Sequence, residues 1–94
     1  GSEMCIRDSN KNYYIDMLLF NLEFNCYVVM ELKLRELKKE DKAQVEFYMN
    51  LIDSYKKSNI NNPTIGIIIS KKQDKVVAEY VKSEKLIPIT YEFA

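Results

Sequence analysis

Tyr13-Tyr14-Ile15-Asp16-Met17-Leu18-Leu19-Phe20 and Tyr27-Val28-Val29-Met30-Glu31-Leu32-Lys33 decide the fold. Both runs are rich in aromatic and branched residues and are separated by Asn21, Asn25 and polar positions, which predicts a hairpin with strands at Tyr13 to Leu22 and Cys26 to Leu34. Each run also carries charge where a core strand should not. An ionised carboxylate buried without a partner neutralises, pairs or binds a metal, so Asp16 and Glu31 need an explanation. Period two puts Tyr14, Asp16, Leu18 and Phe20 on one face of the first strand, and Val29, Glu31 and Lys33 on one face of the second. If the chain reverses about Glu23-Phe24, residues whose numbers sum to 47 face each other. Asp16 then lies across from Glu31, with Cβ atoms roughly 5 Å apart. Glu-Phe is a poor centre for a type I′ turn, which predicts a longer or bulged loop. A slip of one residue would turn Glu31 to the opposite face.

Beyond Lys38 the pattern changes to Ala43, Phe47, Leu51 and Tyr55, widened by Tyr48 and Ile52, which predicts an amphipathic helix from about Glu40 to Lys57. Glu40 and Asp41 suit its positive N-terminus, Lys56 and Lys57 its C-terminus, and Asn61-Asn62-Pro63 stops it. Thr64 to Ser70 is a continuous Ile-rich run, as in a strand covered on both faces. Lys71 to Asp74 reads as a turn, and Lys75 to Val81 and Ile87 to Phe93 as further strands, with Pro88 suited to an edge. Cys26 to Ser70 is then a strand, helix, strand crossover joining parallel strands. The expected fold is α/β: a mixed β-sheet with an antiparallel hairpin, one long helix and a parallel crossover strand. Residues 13–94 form one domain on this reading, and residues 1–12, opened by a Gly1-Ser2 that resembles a cloning scar, lie outside its core.

Fourteen basic and 14 acidic residues leave no net charge, so a nucleic-acid surface would have to be a local patch. The longest apolar stretches fall far short of the roughly 20 residues that span a bilayer, so no membrane span is expected. The chain has no histidine, which excludes a His-based triad and a Cys/His zinc site. Chemistry is left to carboxylates, lysine and hydroxyls. Cys5 and Cys26 read as reduced thiols, which fits a cytoplasmic setting.

Two carboxylates on neighbouring strands can share a hard divalent cation, with Mg²⁺ keeping several waters and taking further oxygens from a substrate phosphate. Asp16, Glu31 and the main-chain carbonyl of Leu32 are the candidate ligands. Lys33 is placed to orient a water or to stabilise charge on the transition state. Gln44 and Tyr48, four apart, share a helix face and can present an amide and a phenol to the same place. Each residue also has a plainer reading. An isolated strand acid is commonly a surface residue, Glu-x-Lys a weak local ion pair, Gln44 a solvated amide and Tyr48 the edge of the core. The lysines flanking the helix read as a solvated face or as contacts along a phosphate backbone.

Asp16 with Glu31-Leu32-Lys33 after an apolar strand resembles the PD-(D/E)XK nuclease superfamily, and more closely its bacterial YhcG-type C-terminal nuclease domain. Tyr14 to Phe20, Val28 to Lys33, Gln44 to Tyr48, Asn62 to Ile68 and Lys75 to Tyr80 resemble that family's successive blocks, over roughly Tyr13 to Phe93. The resemblance implies a restriction-endonuclease-like fold and Mg²⁺-dependent hydrolysis of DNA phosphodiesters, with Mn²⁺ as substitute. Asp16 and Glu31 would be metal ligands, Lys33 the catalytic lysine, Gln44 its helix support and Tyr48 its neighbour. DNA is expected as partner ahead of RNA, and a homodimer is allowed. Ile15 precedes Asp16 where many members have proline. The superfamily core begins with a helix bearing another acid, which residues 1–12 are too short and too polar to supply. An N-terminally truncated domain of a longer protein is therefore expected. The alternative is a non-catalytic nucleic-acid-binding or assembly module that keeps the nuclease fold.

Overall fold

The computed structural model describes residues 2–81. In chain order these form β1 (Ser2–Asp8), β2 (Lys11–Asn21), β3 (Cys26–Leu32), α1 (Lys39–Tyr55), β4 (Ile65–Lys72) and β5 (Lys75–Val81). All five strands join one sheet in the order β1-β2-β3-β4-β5. Among the described residues β3 and β4 are the parallel pair, and α1 is the crossover between them. The other neighbours are antiparallel. This is the α/β mixed sheet that the sequence predicts. The expected strand Ile87 to Phe93 lies outside the described residues.

The hairpin register follows the arithmetic. Met17 faces Met30, Leu18 faces Val29, and the ladder runs on to Asn21 and Cys26, each pair summing to 47. Between them lies a four-residue loop, Leu22 to Asn25, with Asn25 at φ 51° and the Asn21 side chain accepting the Phe24 N–H at 3.0 Å.

Residues 1–12 require a correction. Ser2–Asp8 is a strand paired with β2, and Ile6 is buried in the main core. Its composition hid it: Met4, Cys5 and Ile6 stand together between Ser2-Glu3 and Arg7-Asp8, so the run is short and shows no alternation of apolar and polar positions. Where β1 advances from Ser2 to Met4, β2 advances from Leu18 back to Ile15, so β2 carries an extra residue there. Such a bulge shifts side chains between faces. Ile15 and Leu18, three apart, consequently both pack on the α1 side. The bulge sits at Asp16-Met17.

The α1 side of the sheet holds the larger cluster, built from Ile15, Val29, Ile68 and Val81 against Val45, Met49 and Ile52. On the opposite face Cys26, Val28 and Ile65 form a smaller cluster with Leu19, Ile67 and Tyr80. The helix lies within two residues of its expected bounds, but its buried face differs. Val45, Tyr48, Met49, Leu51 and Ile52 are buried, whereas Phe47 and Tyr55 are 42% and 59% exposed. A stripe spaced by four drifts by roughly 40° per step, because each residue advances about 100°, so it cannot stay on one face. Residues three and four apart in alternation do stay.

Gly66 lies in β4 where the helix crosses. A Cβ there would stand 2.5 Å from Val45 Cγ1, 2.7 Å from Met49 Sδ and 3.3 Å from Val81 Cβ. Met49 can rotate away, but branched Val45 and the Val81 backbone position are stiff. Gly66→Ala is expected to cost about 2 kcal/mol through overpacking, which lowers the melting temperature by roughly 10 °C. An unchanged thermal melt would mean that α1 is free to lift from the sheet.

Candidate active site

Asp16 and Glu31 converge where the β2–β3 ladder ends. The Asp16 main-chain N–H donates to Glu31 Oε1 at 3.2 Å, and the Leu32 N–H donates to Asp16 Oδ2 at 3.1 Å. Asp16 thus exchanges side-chain and main-chain hydrogen bonds with the Glu31-Leu32 step beyond the last regular pair, Met17 and Met30. The bulge frees the main chain of Asp16 for this exchange. The burial is opposite in the two acids: Glu31 is 3% exposed, while Asp16 is open to solvent. The first run is therefore not a buried strand at Asp16, and the desolvation problem belongs to Glu31.

Glu31 shows the strain of its surroundings. Burial above all, and then the hydrogen bond it shares with the Asp16 carboxylate, pushes its pKa up to about 7. The Asp16 N–H and the Lys33 charge pull the other way but do not win. Two carboxylates brought into hydrogen-bond contact repel once both are ionised, and either a shared proton or a cation relieves that repulsion.

Lys33 follows directly after β3, and its N–H still donates to the Ile69 carbonyl at 2.8 Å. Its Nζ donates to Gln44 Oε1 at 3.1 Å, and Gln44 Nε2 donates to Tyr48 Oη at 3.2 Å. A lysine just past the end of β3, a helix amide and a buried phenol are thereby connected in line. Burial, with the nearby charges of Glu31 and Asp16, raises the Tyr48 pKa, so the phenol stays neutral and can accept from Gln44. All five predicted site residues, Asp16, Glu31, Lys33, Gln44 and Tyr48, thus lie in one contiguous neighbourhood. Gln44 is exposed, as its plainer reading expects, yet it is bonded at both ends of its amide.

Arg35 and Asp41 escaped the sequence reading. Arg35 Nη1 and Nη2 meet Asp41 Oδ2 and Oδ1 at 2.8 and 2.9 Å, a bidentate pair. Asp41 also accepts the Lys38 N–H at 2.7 Å, so one carboxylate caps the helix and ties down the segment leading into it. The Arg35 guanidinium holds the Asp41 carboxyl well below the usual carboxylate range. This clamp fixes the span between Lys33 and Gln44. The sequence signal for it is Asp41 in the first helical turn, a position that equally suits the helix dipole.

The donor set fits a hard cation. Asp16 and Glu31 offer two carboxylates, and among the described residues no cluster of three or more His, Cys, Asp or Glu side chains is present. Mg²⁺ is commonly held by one or two carboxylates with water and substrate phosphate completing the shell. A buried carboxylate with a raised pKa beside a second carboxylate is a chemical match for that charge. The sheet face away from α1 carries a groove of about 410 Å³ lined by Met17, Met30, Leu32, Leu34 and Ile69, reaching Asp16 at its rim. No described helix is long and apolar enough to cross a membrane.

Comparison with known proteins accords with this geometry. The chain is 22% identical over 80 residues to the protein named "Putative nuclease YhcG" of Escherichia coli (strain K12), an alignment that covers 85% of this chain and 21% of that protein. The chain therefore spans about a fifth of the length of this relative. No solved structure matches the chain significantly. The profile of the YhcG PDDEXK nuclease domain matches residues 1–92, nearly the whole sequence, and the chain belongs to that family.

Proposed function

We propose that this domain hydrolyses DNA phosphodiester bonds with Mg²⁺, for which Mn²⁺ can substitute. The observation that carries the reading is the joining of Asp16 to Glu31 and Leu32 by two hydrogen bonds beside the Lys33–Gln44 contact. Asp16 and Glu31 would hold the cation, with the Leu32 carbonyl, on the residue whose N–H already engages Asp16, as a third oxygen. When bound, the cation supplies Lewis acidity, polarising a phosphoryl oxygen and lowering the pKa of the attacking water. Lys33 contributes charge and direction. Gln44 Oε1 accepts a hydrogen bond from one of the three ammonium N–H groups of Lys33, which fixes the side chain and leaves two donors for water and a phosphate oxygen. Tyr48 holds the Gln44 amide in the orientation that presents Oε1 to Lys33.

Nicking of a supercoiled plasmid tests the proposal. Cleavage should appear with Mg²⁺ or Mn²⁺, vanish with chelator, and fall by roughly 10²-fold or more in Lys33→Met, the scale of losing one charge-stabilising donor. Lys33→Met should still bind Mn²⁺ in a calorimetric titration. Metal-independent cleavage, or full activity in Lys33→Met, would overturn the reading.

A further inference from the structure

Lys72 and Lys75 stand directly opposite each other at the tip of the β4–β5 hairpin, joined by Gln73-Asp74. Like charges in this relation destabilise a strand pair. The turn is also unfavourable, since Gln73 and Asp74 take φ of 49° and 60°, a pairing usually served by Asn-Gly. Both lysines are exposed. Among the described residues the ion pairs are Arg35–Asp41 and Lys42–Glu79, so neither lysine is within ion-pair distance of a described carboxylate. Glu36 and Glu79 line the same shallow cleft as Lys72, and Glu79 is engaged by Lys42 at 3.3 Å. In a chain with no net charge, the backbone holds two positive charges together at a local cost in stability.

Their placement gives the reason. Alternation along β4 puts Lys72 on the face of Gly66, Ile68 and Ser70, the face that α1 covers. Val29, Glu31 and Lys33 share that face of β3 by the same alternation. The main chain after Lys33 runs beside the end of β4, where the Lys71 N–H donates to the Arg35 carbonyl at 3.0 Å. The lysine pair and the Asp16/Glu31 site therefore lie toward the same end of the sheet, the one that meets the N-terminal part of α1. Lys71 falls on the opposite face.

We propose that Lys72 and Lys75 form a phosphate-binding clamp that holds the nucleic-acid backbone away from the scissile bond and across the candidate active site. This rests on the nuclease reading for its polyanion but not on the metal site. The interaction is sequence-independent, because it neutralises phosphates and reaches no base edge.

Fluorescence anisotropy with a short labelled DNA duplex, in metal-free buffer between about 50 and 200 mM salt, tests the clamp. The double variant Lys72→Gln/Lys75→Gln should bind roughly tenfold more weakly. Its slope of log affinity against log salt should shrink by nearly 2, at about 0.9 for each phosphate that is no longer neutralised. Lys71→Gln serves as the control and should leave the slope unchanged. The double variant should melt no lower than the wild type, since it relieves a like-charge pair, which separates weakened DNA binding from unfolding. An unchanged slope in the double variant, or an equal loss in Lys71→Gln, overturns the clamp. Wild-type protein that binds no Mn²⁺ but keeps the lysine-dependent slope would sink the metal-site reading and leave the clamp standing.

Discussion

Glu31→Gln is expected to abolish metal-dependent cleavage, a loss on the order of 10³-fold, together with the rise in melting temperature that Mn²⁺ produces in the wild type. The size follows from what the substitution removes. Glutamine keeps the volume of glutamate and its side-chain oxygen can still accept the Asp16 N–H, so the hairpin end is preserved. It cannot supply the second negative charge. One carboxylate and a main-chain carbonyl leave a divalent cation with half the anionic charge, and a metal's contribution of several kcal/mol to transition-state stabilisation corresponds to roughly 10³-fold at about 1.4 kcal/mol per decade. Lys33→Met separates the roles, because it should lose turnover while retaining metal. If Glu31→Gln bound Mn²⁺ as tightly as the wild type, the ligands would lie elsewhere. Cleavage within tenfold of wild type would leave the buried acid with a structural role only.

What the sequence made legible divides along physical lines. The pairing of β2 with β3 could be read because a period of two fixes faces, and a one-residue slip would have turned Glu31 away from Asp16. Asp16 and Glu31 therefore met where the arithmetic placed them, and α1 delivered Gln44 and Tyr48 to Lys33. The burial of each acid was not legible. It depends on the bulge at Asp16-Met17, and that bulge is visible only in the pairing of β2 with β1, a partner whose polar residues hide its strand character. Of the expected helix stripe Tyr48, Leu51 and Ile52 are buried while Ala43, Phe47 and Tyr55 are exposed, since spacing by four looks regular in one dimension but winds around a cylinder in three. The Arg35–Asp41 clamp joins residues six apart across a helix start, and no periodicity marks such a pair. Local patterns thus reveal which residues share an element, while loops, caps and bulges decide how much water each one meets.

The raised pKa of Glu31 makes the second large effect a dependence on pH in the absence of metal. Its ordinary value of 4.5 is pushed up to about 7 in the folded chain, so the folded state holds a proton that the unfolded chain has released. The stabilisation from this group is fully present below about 4.5 and is lost as pH rises through about 7, levelling off above that. A shift of this size is equivalent to about 3 kcal/mol. The metal-free wild type should therefore melt at lower temperature at pH 8 than at pH 5, relative to Glu31→Gln measured in parallel, which carries no titrating group at that position. At pH 8 the variant should be the more stable of the two, although it is the one expected to lose cleavage. Divalent cation should reverse the order by binding the wild type alone, and below pH 7 it must displace a proton, so Mn²⁺ affinity should fall by up to about tenfold per unit. Parallel melting curves for wild type and variant across that range would show that Glu31 keeps its ordinary pKa. Its burial would then be relieved within the protein, and the pair of acids would have no stored repulsion for a cation to release.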